Sequence, residues 1–426
     1  MIRFILFFTL IFTKPVLAND HTQHWITDKK TQVYFHPTPG LPMFDVALVI
    51  KGGSRSTTPG LAHLMATTTS MGSKFLNQEQ IGTKLDQYGS ELNASTSRDS
   101  MIFHLRTLAG TPVDQVVSIF KESLFYSAFP SHEVRDQIEK TYNQLAFDQL
   151  QPEKIAEQHM MRALFPSAPF FYSPIGGYAD TLIHLSPSDL ARFHNKILNP
   201  ENTTIIILGD IDGDKANTIA NQLSDGMISS LPLDHQETLT SNNDAQTISI
   251  KPDHEQVYFY YATKLPVRLE SEQYASWLLI NELLGANSSS LLFQALRDNK
   301  PLVYSIHSSI IPIDNFIVLT ISGESNQKNV AEINQTIDRS LNRLKKQFVN
   351  EKQLSIAQKG LINKLKLLNT NNTEQLNQLI SLSEKNLKLG YQEALIETIE
   401  ALTVTKVHQA LQKLDTNQIY KVYVGH

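Results

Sequence analysis

Four residue pairs recur along this chain at a nearly constant offset. Gly72 and Gly285, Asp99 and Asp314, Leu185 and Leu402, and Gly209 and Gly425 are 213, 215, 217 and 216 positions apart. A repeat of that length constrains the fold more than any local helix or strand, because each half must build a similar unit. The closing segments agree. LSPSDLARFHNKILNPENTTIIILGD (185–210) and LTVTKVHQALQKLDTNQIYKVYVGH (402–426) each read as a helix, a polar turn and a β-branched strand ending at glycine.

Between the halves the chain turns polar. Residues 229–246, with the stretch DHQETLTSNNDAQ from Asp234, read as a linker. The first domain then covers 22–228 and the second 247–426. Within each, VALVIKGG (46–53) and VYFYYATK (257–264) are buried-strand patterns. SMIFHLRTLAG (100–110) and NFIVLTISG (315–323) alternate apolar and polar residues, as a sheet with one wet face would. Residues 353–391 favour helix, with leucine and isoleucine at three- and four-residue steps. Strands mixed with helices, without regular βαβ alternation or a glycine-rich phosphate loop, predict an α+β protein of two homologous domains.

Residues 1–18, MIRFILFFTLIFTKPVLA, have the form of a cleaved secretory signal peptide: Arg3, a greasy centre, and Val16-Leu17-Ala18 before the cut. The apolar run is too short to span a bilayer, so no membrane span is expected after cleavage. The absence of cysteine excludes a lipobox anchor and disulfides. A periplasmic location is the expectation. A net charge of −5 without a basic tract argues against nucleic-acid binding.

GLAHLMATTTSMGS (60–73) places His63, Ala66 and Thr67 at i, i+3 and i+4 of one helix. This resembles the zinc helix of M16 (insulinase, pitrilysin) peptidases, whose H-x-x-E-H motif puts two imidazoles on one face with a glutamate as general base. Ala66 stands for the glutamate and Thr67 for the second histidine. Counting 77 residues from Thr67, as the family does to its third ligand, reaches Gln144, just before Pro152. A neutral amide there is a weak donor. The resemblance therefore implies a chain with no catalytic residues and no metal of its own; a solitary His63 on an amphipathic helix is far more often an ordinary packed or hydrogen-bonded histidine than a ligand.

The second half resembles the family where the first departs from it. SSSLLFQALRDNKPLVYSI (288–306) carries Arg297 and Tyr304 seven residues apart, as does the family's element that holds substrate and the oxyanion across from zinc. Pro301 departs from the family's usual glycine. YGSELNASTSRDSMIFHLRTL (88–108) is similar to the strand to which substrate adds by main-chain bonding, with Asn93 and Ala94 at its start. An ordinary sheet strand would read the same.

The resemblance implies two homologous domains, each a largely antiparallel sheet covered by helices on one face. It implies a substrate-binding, non-catalytic subunit in a heterodimeric metallopeptidase acting on peptides or small unfolded proteins. Zinc would sit in an H-x-x-E-H-bearing partner subunit, to which this chain donates Arg297 and Tyr304. The alternative is a metal-free peptide-binding or scaffolding protein of the same fold.

Overall fold

The computed structural model describes residues 22–108, 110–227, 245–250, 256–346 and 350–425. The expected signal peptide and nearly all of the expected linker lie outside them. The first half contributes strands β1 (Gln23–Ile26), β2 (Gln32–Pro37), β3 (Met43–Lys51), β4 (Glu91–Thr96), β5 (Ser100–Leu108) and β6 (Thr203–Gly209). Its helices are α1 (Leu61–Thr68), α2 (Gln78–Gln87), α3 (Val113–Phe125), α4 (Ser131–Asp148), α5 (Pro152–Leu164), α6 (Ala179–Leu182), α7 (Pro187–Ile197) and α8 (Gly213–Ser224).

The second half supplies β7 (Thr247–Ile250), β8 (Val257–Leu265), β9 (Ser305–Ile313), β10 (Phe316–Ser325) and β11 (Tyr420–Val424). With them come α9 (Glu272–Leu284), α10 (Leu291–Phe293), α11 (Val330–Lys346), α12 (Glu351–Leu367), α13 (Asn372–Glu384), α14 (Tyr391–Ala401) and α15 (Val404–Gln412).

The two sheets confirm the duplication strand by strand. Their orders are β1-β2-β6-β3-β5-β4 and β7-β11-β8-β10-β9. Apart from the extra β1, each strand has its counterpart in the same place. In both sheets one pair is parallel, β2 with β6 and β7 with β11, and the other pairs are antiparallel. Gly209 and Gly425 end equivalent strands at φ +157° and +97°. A Cβ on Gly425 would stand 2.2 Å from the Gln256 carbonyl oxygen, so no other residue fits that turn.

Each half packs its own helices on one sheet face. Val46, Leu48 and Ile50 of β3 meet Leu64, Met65 and Phe120 in the first core. Phe259 and Tyr261 of β8 meet Trp277 and Ile337 in the second.

The opposite faces are not left wet, and here the structure adds to the expectation of helices on one face only. Helix α5 crosses to the second sheet, where Ala156, Met160 and Leu164 pack on Tyr258, Tyr260 and Val422. Helix α13 crosses to the first sheet, where Leu376, Leu379 and Ile380 pack on Ala47, Val49 and Ile206. That is why β3 is buried at every position from Phe44 to Ile50 instead of alternating.

The long helical stretch expected over 353–391 is divided. Asn371 ends the run, its side chain accepting from the Glu374 N–H as the N-cap of α13. The break frees α13 from α12 to reach the other half's sheet.

Candidate functional site

A cavity of about 1640 Å³ opens along the seam between the halves. Helix α1 forms part of its wall. Gly60 starts the helix at φ +90°, in a place where a Cβ would lie 2.8 Å from the Gly176 carbonyl oxygen. Leu61, Leu64 and Met65 are buried against the first core, which leaves His63 and Thr67, one turn apart, facing the cavity. Gln144 of α4 lines the same cavity. The three ligand positions of the resemblance, with the third taken from the 77-residue count, therefore line one cavity.

The groups at those positions do not fit zinc. Thr67 turns its hydroxyl back to its own helix, donating to the His63 carbonyl at 2.8 Å. Gln144 donates its amide to Asp148 Oδ1 at 2.8 Å. Ala66 is fully buried in the first core and presents a methyl group where the resemblance has a base. His63 is left as one imidazole without a hydrogen-bond partner among the described residues, and burial pushes its pKa below the ordinary value. One neutral imidazole, two committed polar groups and a methyl cannot supply the three or four donors a zinc site uses. Among the described residues, no three His, Cys, Asp or Glu side chains come together as a metal set.

Ala94 lines the cavity and Asn93 does not. Both lie on β4, the edge strand of the first sheet, where they pair with Phe103 and His104 of β5. The outer side of β4 carries no strand partner among the described residues, so its backbone groups form an open edge beside α1.

Arg297 and Tyr304 stand outside the cavity. Arg297 lies in a π-helical turn, Gln294–Asp298, a device that re-aims a side chain within a helix. It is exposed, and its guanidinium rests 5.2 Å from the Phe293 ring centre. The Leu302 N–H donates to the Leu296 carbonyl at 3.0 Å and pinches the loop around Pro301. Both residues thus leave the chain near one point. Tyr304 is 51% exposed, and its hydroxyl accepts from Asn326 Nδ2 at 3.0 Å, which leaves the phenolic proton free to donate.

The seam also holds residues that sequence reading passed over. Arg55 donates to Asp99 at 2.8 Å and to Asp314 at 3.3 Å, and sits 4.7 Å above the Phe170 ring. Asp99 and Asp314 are one of the four repeat pairs, so equivalent hairpin turns of the two halves meet at a single guanidinium. The repeat marked the two aspartates; nothing in the sequence marked Arg55.

A two-domain α+β shell with paired sheets, exchanged helices and a zinc helix that cannot hold zinc defines a class. The chain belongs to the M16 peptidase family. The family model described as Insulinase (Peptidase family M16) matches residues 36–175, and the one described as Peptidase M16 inactive domain matches 184–361. The chain is 23% identical over 388 residues to the "Uncharacterized zinc protease YmxG" of Bacillus subtilis, covering 89% of this chain and 91% of that protein. It is 22% identical over 410 residues to the "Non-peptidase homolog YmxG" of Helicobacter pylori, covering 93% and 91%. The crystal structure of a peptidase M16 inactive domain from Pseudomonas fluorescens superposes with a TM-score of 0.88 at 22% identity, over 95% of this chain and 97% of that one.

Proposed function

We propose that this chain is the non-catalytic, substrate-binding subunit of a periplasmic, heterodimeric M16 metallopeptidase. Its partner carries H-x-x-E-H and the zinc, and this chain donates Arg297 and Tyr304 to that site. The observation that carries the reading is their placement: both are exposed and lie outside the chain's own degenerate cavity, with donors free, on a turn pinned by backbone bonds. A guanidinium and a phenol exposed outside the cavity are available to a site on another molecule, as the donated-residue reading requires. The name of the Helicobacter pylori relative, a non-peptidase homologue, is in keeping with a chain that does not cleave alone. The open β4 edge gives the subunit a place to hold an extended peptide by main-chain bonds. Export rests on the signal-like residues 1–18.

The test is the reconstituted pair. Mixed with its H-x-x-E-H partner, the wild-type chain should turn a poor peptidase into a good one. Tyr304→Phe, which deletes one hydroxyl, should lower kcat by about 10²–10³ while the heterodimer still forms, as loss of one oxyanion donor does elsewhere. Complexes of Tyr304→Phe and Arg297→Ala that assemble and cleave at the wild-type rate would replace this reading with the scaffold alternative.

A further inference from the structure

The charges along the seam cavity are unevenly committed. Every lining carboxylate has a partner: Asp99 and Asp314 hold Arg55, Asp148 holds Gln144, Glu157 stands 3.7 Å from Lys154, and Glu384 accepts from Ser97 and Ser100. The cations are not matched in the same way. Arg55 and Lys154 are used, but Lys51 donates only to the neutral Asn386 Oδ1 at 2.5 Å. The Arg98 and Lys385 side chains have no hydrogen-bonded partner among the described residues. Desolvation lowers the pKa of all three, with only through-space attraction to carboxylates opposing it at Arg98 and Lys385.

Their places in the fold bring these three together. Lys51 ends β3, Arg98 lies in the turn after the edge strand β4, and Lys385 follows α13 where that helix comes over from the second half. The Lys51 Cα is paired with that of Ser100, two residues from Arg98, and the Ser100 hydroxyl is bonded to Glu384, the neighbour of Lys385.

We propose that this corner, centred on Arg98, is a carboxylate-binding subsite for a peptide laid along β4. A guanidinium with free donors takes a carboxylate in a two-pronged geometry that an ammonium cannot match, and partial desolvation strengthens the pair. The subsite rests on the peptide-binding reading above and adds its specificity: peptides with a carboxylate at the end of the β4 track are preferred. That carboxylate is either the peptide's own C-terminus or an acidic side chain.

The experiment uses the full mature chain and fluorescein-labelled ten-residue peptides of one neutral sequence, measured by anisotropy. One form has a free C-terminus, one a C-terminal amide, and one an amide plus a single internal glutamate. Wild type should bind a carboxylate-bearing form about 10- to 100-fold more tightly than the plain amide, the worth of a charge-assisted bond. Which form gains identifies the source. Arg98→Gln should erase the preference without changing affinity for the plain amide, and Arg98→Lys should restore part of it. Because the Arg98 guanidinium makes no hydrogen bond among the described residues, the substitution should leave the unfolding curve in place. Equal binding of all three forms to wild type, or an unchanged preference in Arg98→Gln, overturns the subsite and leaves peptide binding standing. Failure of every form to bind wild type overturns both.

Discussion

Removing the positive charge of Arg55 should loosen the two halves from one another by a definite amount. Arg55→Met keeps an apolar stem of similar reach and deletes the guanidinium that lies over Phe170 and Phe171. Three contributions disappear. The bond to Asp99 involves a carboxylate that is 56% exposed and is worth about 0.5 kcal/mol after solvent screening. The longer bond to Asp314, 34% exposed, adds about 1 kcal/mol. The cation over the Phe170 ring, partly desolvated, adds about 1 kcal/mol. The sum is about 2–3 kcal/mol, of which only the Asp314 share directly joins the halves by charge.

The chain provides its own reporters for this measurement, since it has two tryptophans: Trp25 in β1 and Trp277, fully buried, in α9. Single-tryptophan variants follow urea unfolding in each half separately. Replacing Trp277 by Phe removes an indole N–H that is buried without a partner, so that background should fold. In a double-mutant cycle, Arg55→Met with Asp314→Asn should show a coupling of about 1 kcal/mol, and the cycle with Asp99→Asn about half of it. A coupling to Asp314 below about 0.3 kcal/mol, the usual scatter for independent sites, would refute the seam lock.

Two further outcomes follow from the degenerate site. Purified protein should hold no stoichiometric zinc by metal analysis; Thr67→His alone should bind it weakly, and adding Gln144→Glu should raise affinity by well over an order of magnitude. If glutamate at position 143 or 145 does better, the 77-residue register is wrong; Leu145 lines the cavity beside Gln144 but also packs against the first core. The lone His63 should also make stability acid-sensitive. Its folded pKa lies below the ordinary 6.5, so the unfolded chain takes the proton first. Its contribution is complete above about pH 6.5 and is lost as pH falls from there toward the folded value. His63→Gln should flatten that part of the stability profile, and parallel wild-type and variant curves between about pH 7.5 and 5 would sink the assignment.

How far the sequence carries toward this structure depends on how local the physics is. The strands VALVIKGG and VYFYYATK are legible because unbroken β-branched and aromatic runs have few other solutions, and they became β3 and β8. The zinc-helix register is legible because i and i+4 spacing fixes which side chains share a face. The exchange of α5 and α13 is not legible. Ala156, Met160 and Leu164, or Leu376, Leu379 and Ile380, make an apolar stripe that would suit either sheet equally well. Arg55 is hidden for a related reason, since its partners lie 44 and 259 residues away.

The exchange nevertheless leaves one trace that only makes sense once the fold is known. Lys51, the last residue of β3, and Lys264, the last but one of β8, lie at equivalent strand ends at an offset of 213, the spacing of Gly72 and Gly285. Each reaches the C-terminal end of the helix that has come over from the other half. Lys264 donates to the Leu164 carbonyl at 3.1 Å, at the last residue of α5, and Lys51 donates to Asn386, two residues beyond α13. A cation at a helix C-terminus meets the negative end of the helix dipole, and Lys264 also meets a terminal carbonyl, while Lys51 bonds the Asn386 side chain just beyond its helix. In both halves the lysine reaches the end of the helix that has crossed from the other half. The duplication thus carried with it the means of joining the copies: each repeat supplies one helix to its twin and one lysine to receive the helix it is given. Arg55 has no counterpart in that symmetry. It belongs to the first half alone, where it binds the equivalent aspartate of both copies, and the departure from symmetry falls on the wall of the seam cavity.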